Sequence, residues 1–162
     1  MSQCPAPDGS AFKILNLIRG HPLNPCNQRS IHSRVPNITM KYQHKTHKII
    51  QAFYKVYNTL GYGFLEKVYQ NALLIELRKI GFDCVANYPV KVYYEEQQVG
   101  DYYADILVDN CIILELKAAE ALCEENEYQL INYLKATDIE IGLLLNFGKK
   151  PEFKRKIFTN ED

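Results

Sequence analysis

Three charged side chains interrupt two apolar runs of this sequence. Glu115 and Lys117 lie two residues apart in the run Cys-Ile-Ile-Leu-Glu-Leu-Lys, and Asp105 lies in the run Tyr-Tyr-Ala-Asp-Ile-Leu-Val. In a strand, residues two apart share one face. An acid and a base that project together from an apolar strand need partners or a ligand. For this pair alone, the simpler alternative is a sheet face that is open to water.

The turn between the two runs decides whether the carboxylates meet. A two-residue turn at 109–110 would pair residue 105 with residue 114 and place Asp105 and Glu115 on opposite faces. A three-residue loop at 109–111 pairs residue 105 with residue 115 and puts the carboxylates side by side. Like charges disfavour that arrangement, but a divalent metal between them would reverse the sign. We therefore predict the three-residue loop or an equivalent bulge.

Two predicted helices add further polar groups. Glu66 is near the start of the second helix on its apolar stripe, where it either accepts backbone N–H groups or points into a site. Gln129 and Tyr133 are at i and i+4 on the third helix, which ordinary amphipathic patterning also explains. Carboxylates are preferred ligands of Mg²⁺ and Mn²⁺. Two or three carboxylates with a lysine are what metal-assisted phosphodiester hydrolysis requires.

The elements that must position these residues follow a mixed order. Helices are predicted over 46–60, 64–80 and 121–136, and strands over 84–94, 102–108, 111–117 and 139–147, with a short final strand at 153–158. Thr46 is the expected cap of the first helix and Gly61 its end. Pro89 indicates an edge strand or a bulge. The order α-α-β-β-β-α-β predicts a mixed α/β sandwich.

Composition favours one folded domain. The chain has 162 residues, of which 47% are hydrophobic, with 19 Lys+Arg and 19 Asp+Glu. The neutral total hides a basic segment, 1–48, with seven Lys or Arg and one acid, before an acidic segment, 49–146, with seven and fifteen. Five widely spaced cysteines without C-x-x-C argue against zinc ribbons and disulfide frameworks and favour a reducing, cytoplasmic location. Apolar runs are too short for a membrane helix.

The ends of the chain read differently from its middle. Residues 1–45 are predicted to be a basic, Pro-containing, poorly ordered extension, residues 46–158 the domain, and residues 159–162 a tail. An organelle transit peptide and a short docking arm are alternatives for the extension. Met40 lies just before the patterned region, so a start of translation there is a further hypothesis.

Taken together, the motifs resemble a known family. Residues 63–69 read Gly-Phe-Leu-Glu-Lys-Val-Tyr, a G-x-x-E-x-x-Y motif. Asp105 followed by Glu115-Leu116-Lys117 is similar to the D…E-x-K signature of the PD-(D/E)XK nuclease superfamily. The chain resembles the GxxExxY protein family, a nuclease-like branch of that superfamily, over about residues 46–158. The resemblance extends through 128–136 and 142–148.

The resemblance implies an α/β (α+β) fold with an αβββαβ core and a four-stranded mixed sheet flanked by helices. The implied metal ligands for Mg²⁺ or Mn²⁺ are Asp105, Glu115 and Glu66; Lys117 acts on the water; and Gln129, Tyr133 and Tyr69 line the site. The implied activity is hydrolysis of DNA or RNA, and the alternative is a catalytically silent module that binds nucleic acid or protein. The chain departs from the pattern at Val56-Tyr57, where Val-His is expected, and at Tyr103-Ala104, where a basic residue often lies.

Overall fold

A five-stranded mixed sheet forms the centre of the protein, with helices on both faces. The computed structural model describes residues 42–159. The helices are α1 (Gln43–Leu60), α2 (Glu66–Lys79) and α3 (Glu124–Lys135), and the strands are β1 (Cys84–Tyr94), β2 (Gln97–Val108), β3 (Ile112–Lys117), β4 (Ile141–Asn146) and β5 (Glu152–Ile157). The α/β (α+β) class is confirmed. The final strand makes the sheet five-stranded instead of four-stranded.

The strands lie in the order β1-β2-β3-β4-β5. β3 and β4 are parallel, and the other neighbours are antiparallel. A parallel pair needs a crossover, which α3 provides. Every residue of β4 is buried, as its continuous apolar run predicts. Pro89 lies in β1, an edge strand, in agreement with the prediction.

Two apolar cores hold the layers together. One core lies between the sheet and helices α1 and α2, where the ring of Phe147 stacks on Tyr69 and meets Phe53 edge-on. The other core lies between the sheet and α3, and it includes Leu130 and Leu144. The sheet is therefore covered on both faces.

Several predicted boundaries were wrong by a few residues. α1 begins at Gln43, and Thr46 is buried inside its first turn, where Oγ1 donates to the carbonyl of Tyr42 at 3.0 Å. Thr46 is therefore not the cap. β2 begins at Gln97 because the turn before it closes through Glu95 and Glu96, both with positive φ. α2 and α3 are shorter than predicted at their starts.

The predicted extension and tail lie largely outside the described residues. The described chain starts four residues before the predicted domain, and no structural statement applies to 1–41 or 160–162. The transit-peptide, docking-arm and Met40 hypotheses therefore stay predictions. Within residues 42–159, no helix has both the length and the apolar character needed to cross a membrane.

Candidate active site

The β2–β3 hairpin has the predicted three-residue loop. Ile106 pairs with Leu114 and Val108 with Ile112, which leaves 109–111 as the loop. The N–H at position 111 closes the turn by donating to the carbonyl of Val108 at 3.0 Å. In this register residue 105 lies opposite residue 115, so the hairpin brings the two acidic positions to the same level of the sheet.

The backbone pairing between β2 and β3 ends at Ile106 and Leu114, and the Asp105 side chain makes the next hydrogen bond between the two strands. Its Oδ2 accepts a hydrogen bond from the N–H of Leu116 at 2.7 Å. Across from it, Asn87 of β1 has a φ of 50°. Residues two apart in a regular strand share one face. Here Ala104 packs in the α3 core and Ile106 in the α1–α2 core, so the alternation of faces along β2 is interrupted at Asp105. This kink directs the carboxylate toward the end of β3.

Glu115 and Lys117 form a largely buried ion pair. The Nζ of Lys117 lies 2.8 Å from Oε1 of Glu115, and the two side chains are 16% and 4% exposed. The other oxygen of Glu115, Oε2, is buried without a hydrogen-bond partner. Burial costs a polar atom free energy unless something satisfies it. Glu115 therefore offers one free acceptor at the end of β3.

The charges of the site shift one another's pKa values. Burial, followed by the charge of Asp105, raises the pKa of Glu115 to about 7. Burial also raises the pKa of Asp105. The hydrogen bond from the Leu116 N–H lowers this pKa, but the effect of burial is larger. Burial disfavours the charge on Lys117, yet the hydrogen bond and charge of Glu115 raise the Lys117 pKa overall. The acids therefore bind protons more readily than usual, while the lysine stays charged.

Glu66 is the first residue of α2 and reaches the same place. It is exposed, and its Oε1 accepts from the N–H of Ala118, just after β3, at 3.4 Å. Its charge contributes to raising the pKa values of Asp105 and Glu115. The sequence placed Glu66 on the packed stripe of α2, and the structure shows it at the exposed edge of that stripe.

Tyr69 supports the loop before Glu66 from behind. Its ring is fully buried, and its hydroxyl donates to the carbonyl of Gly61 at 2.9 Å and accepts from the N–H of Phe64 at 3.2 Å. The structure thus gives Tyr69 contacts with the loop and the core. In the G-x-x-E-x-x-Y motif, the tyrosine fixes the turn that delivers the glutamate.

Gln129 and Tyr133 lie one turn apart on α3, as their spacing indicates. The amide of Gln129 donates to the hydroxyl of Tyr133 at 2.8 Å. Burial raises the pKa of Tyr133, and the charge of Glu115 raises it further. The phenol therefore remains protonated at neutral pH. That both residues line the site stays a prediction.

Gln70 is a positioning residue that the sequence analysis missed. It is 3% exposed, and its Nε2 donates to the backbone carbonyl of Asp105 at 2.6 Å and to Oδ1 of Asn87 at 3.2 Å. The Nζ of Lys67 donates to Gln70 Oε1 at 2.8 Å. Gln70 thus holds both strands at the kink. The available signal was a polar residue in the buried part of an otherwise amphipathic helix.

Asn146 fixes the segment after β3 in the same way. It is fully buried, and its amide group exchanges two hydrogen bonds of 3.0 Å with the backbone of Ala119. A Cβ at Gly148 would lie 1.9 Å from the Ala119 carbonyl oxygen, so only glycine permits this close approach. The chain leaving Lys117 is therefore held rigidly against the end of β4.

We expect Gln70→Leu to destabilise the protein by about 1–3 kcal/mol, because the backbone carbonyl of Asp105 and the Oδ1 of Asn87 lose their partly buried hydrogen bonds. The free energy of unfolding in urea measures this. Gln51→Leu is the control, since Gln51 is an exposed residue of α1. Equal stability of Gln70→Leu and the wild type would contradict the assigned role.

The donor set suits a divalent cation although it is incomplete as it stands. Within the described chain, no three Asp, Glu, His or Cys side chains form a group that could hold a metal ion. Glu66 therefore does not join Asp105 and Glu115 in a preformed three-ligand site. The carboxylates of Asp105 and Glu115, the second with a buried Oε2 that has no hydrogen-bond partner, nevertheless match the oxygen ligands of Mg²⁺ or Mn²⁺.

The fold and these residues define a nuclease-like class of protein: an acid at a strand kink, E-x-K on the next strand, and a helical glutamate beside them. A family model described as the PD-(D/E)XK nuclease superfamily matches residues 43–156. The chain belongs to the PD-(D/E)XK nuclease superfamily. No curated protein and no solved structure gives a significant match. Membership of the GxxExxY branch stays a prediction from residues 63–69.

Proposed function

We propose that the protein is a Mg²⁺- or Mn²⁺-dependent nuclease that cleaves phosphodiester bonds of DNA or RNA with water. This proposal rests on one observation at the end of β3. Asp105 at the kink of β2, the free Oε2 of Glu115 and the charged Lys117 lie together there. Superfamily membership supports nuclease-type chemistry in general. Nucleic acid is the proposed partner, and a cytoplasmic location stays a prediction from the cysteine pattern.

Asp105 and Glu115 would hold the cation, with Glu66 as the third acid of the site. When bound, a divalent cation lowers the pKa of a water and offsets charge on the phosphate. Lys117 is held against Glu115, and its raised pKa keeps it protonated. We therefore assign Lys117 the task of orienting the attacking water and neutralising the phosphate. It acts as a fixed cation and not as a general base.

Gln129 and Tyr133 would bind the substrate from the α3 side. Their hydrogen bond to each other leaves the amide and the hydroxyl beside the acidic cluster. Because the phenol stays protonated, it can donate to a phosphate oxygen. Neither residue is proposed to exchange a proton with the reacting atoms; both orient the phosphate against Lys117.

The decisive test compares Asp105→Asn with Asp101→Asn. Single- and double-stranded DNA and RNA are incubated with Mg²⁺ or Mn²⁺, and cleavage is followed on gels. We expect metal-dependent cleavage by the wild type and a loss of at least about 100-fold in Asp105→Asn. Asp101 is exposed on the same strand, so its variant should keep wild-type activity. Equal activity in the two variants would exclude the proposed site.

A catalytically silent binding module is the second candidate. It is favoured by the missing three-ligand group among the described residues. A silent module would bind nucleic acid or protein without cleaving any substrate, whatever metal is added. Absence of cleavage together with tight nucleic-acid binding would decide for this candidate.

A further inference from the structure

Exposed aromatic side chains border the proposed site on two separate elements. This aromatic rim consists of Tyr62, Phe64, Tyr102 and Tyr103, which are 58%, 49%, 52% and 58% exposed. Phe64 lies two residues before Glu66, and Tyr103 two residues before Asp105. Exposed rings on elements that flank a site can supply stacking surfaces for a ligand bound there.

Ring contacts tie the rim to the site on both of its sides. The ring of Phe64 meets Tyr69 edge-on with centroids 6.2 Å apart, on the α2 side. The ring of Tyr102 lies 6.3 Å from that of Tyr133, on the α3 side. The charge of Glu115 in turn raises the pKa of Tyr133. The Phe64 ring is therefore anchored to the loop that precedes Glu66, and the Tyr102 ring lies next to Tyr133 of α3.

The β1–β2 hairpin extends the rim beyond the sheet. β2 pairs with β3 only over 106–108, whereas residues 97–104 pair with β1 alone. This two-stranded arm runs past the end of β3, where Glu115 and Lys117 lie. It carries Tyr102 and Tyr103, which are neighbours in a strand and so face opposite sides of the arm.

The charge of the chain limits what this surface can hold. Affinity for duplex DNA depends mainly on Lys and Arg contacts to phosphates, and segment 49–146, which carries the site, has seven Lys or Arg against fifteen acids. Stacking on aromatic rings adds affinity without charge, but only unpaired bases are free to stack. Lys67 and Lys117 still supply cations for a local phosphate.

We infer that the preferred ligand is single-stranded nucleic acid, DNA or RNA, with unpaired bases stacked on the aromatic rim and one phosphate beside Lys117. This inference rests on the proposed function and names its substrate class. A protein interface would call for a continuous apolar patch. Here the charged groups of Glu66, Lys67 and Lys117 lie between the rings of the two elements.

Fluorescence anisotropy of the full chain tests the inference with labelled 20-nucleotide DNA, RNA and the matching duplex, in EDTA at fixed salt. We expect single strands to bind at least about 10-fold tighter than the duplex. Phe64→Leu, Tyr102→Leu and Tyr103→Leu should each weaken single-strand binding by about 5- to 20-fold and leave duplex binding unchanged. Tyr94→Leu is the matched control, since Tyr94 is 55% exposed at the tip of the arm. Thermal melting checks the fold of each variant.

The outcomes separate this inference from the proposed function. Duplex binding equal to or tighter than single-strand binding would overturn the inference even if metal-dependent cleavage is found. Ring variants that keep full nucleic-acid binding would also overturn it and would assign the rim to a protein contact. Loss of single-strand binding in the ring variants, without any cleavage, would support the inference while removing the nuclease assignment.

Discussion

Lys117→Met should lower the rate constant of cleavage by about 100- to 1,000-fold, because the transition state loses a fixed cation beside the phosphate. The side chain keeps its length, so packing against β3 changes little. The ammonium is 2.8 Å from Oε1 of Glu115 and only 16% of the side chain is exposed. Single-turnover rates at saturating Mn²⁺ measure the effect on the chemical step.

Two further variants separate catalysis from stability. Lys117→Met alone leaves Glu115 buried without its counter-ion, which destabilises a protein strongly. Adding Glu115→Gln removes that charge, so the double variant should recover the free energy of unfolding that Lys117→Met loses. This recovery shows how much of the loss comes from the unpaired carboxylate. Lys91→Met in β1 is the control for losing a lysine elsewhere. Cleavage at the wild-type rate by folded Lys117→Met would mean that Lys117 is merely structural.

In the absence of a divalent cation, the wild type should lose stability relative to Glu115→Gln as the pH rises. The pKa of Glu115 is raised from 4.5 to about 7 in the folded protein, so the folded state binds this proton more tightly than the unfolded state. Glu115 is neutral in both states at low pH and destabilises the fold progressively between those values. The full difference corresponds to about 3 kcal/mol.

Urea unfolding at pH 5, 6, 7 and 8 in EDTA measures this slope. Titrating groups far from Glu115 are shared by the wild type and Glu115→Gln and cancel in the comparison, whereas the coupling of Glu115 to Asp105 and Lys117 is part of the measured difference. Mn²⁺ competes with the proton for the carboxylate, so it should stabilise the wild type more at pH 8 than at pH 5. Parallel curves for the two proteins would show that Glu115 does not titrate as described.

The sequence predicted what depends on alternation and spacing. The apolar runs of β3 and β4 indicated buried strands. The ten-residue separation of Asp105 and Glu115, together with the expected metal between them, led to the three-residue hairpin loop. The start of α1 was misjudged, because Thr46 satisfies a capping pattern although its hydroxyl bonds backward within the helix. Local rules describe element interiors better than they describe element ends.

Long-range polar contacts could not be predicted. Gln70 binds a carbonyl 35 residues away, and Asn146 binds a backbone segment 27 residues away. Neither distance follows from periodicity, because it depends on how the layers close. The phase change at Asp105 likewise depends on the φ of Asn87. The sequence therefore named the acids and the lysine, and the folded chain showed what holds them in place.

Glu115 is the proposed ligand of the catalytic cation, but its buried Oε2, which has no hydrogen-bond partner, destabilises the fold. An apolar residue in place of the Glu115–Lys117 pair would stabilise the fold, as replacement of buried ion pairs often does. Most proteins retain such destabilising groups only while function requires them. A lineage released from selection for cleavage would therefore gain stability by replacing this glutamate early. Directed evolution for thermostability alone should replace Glu115 and Lys117 before it changes the apolar residues of the sheet.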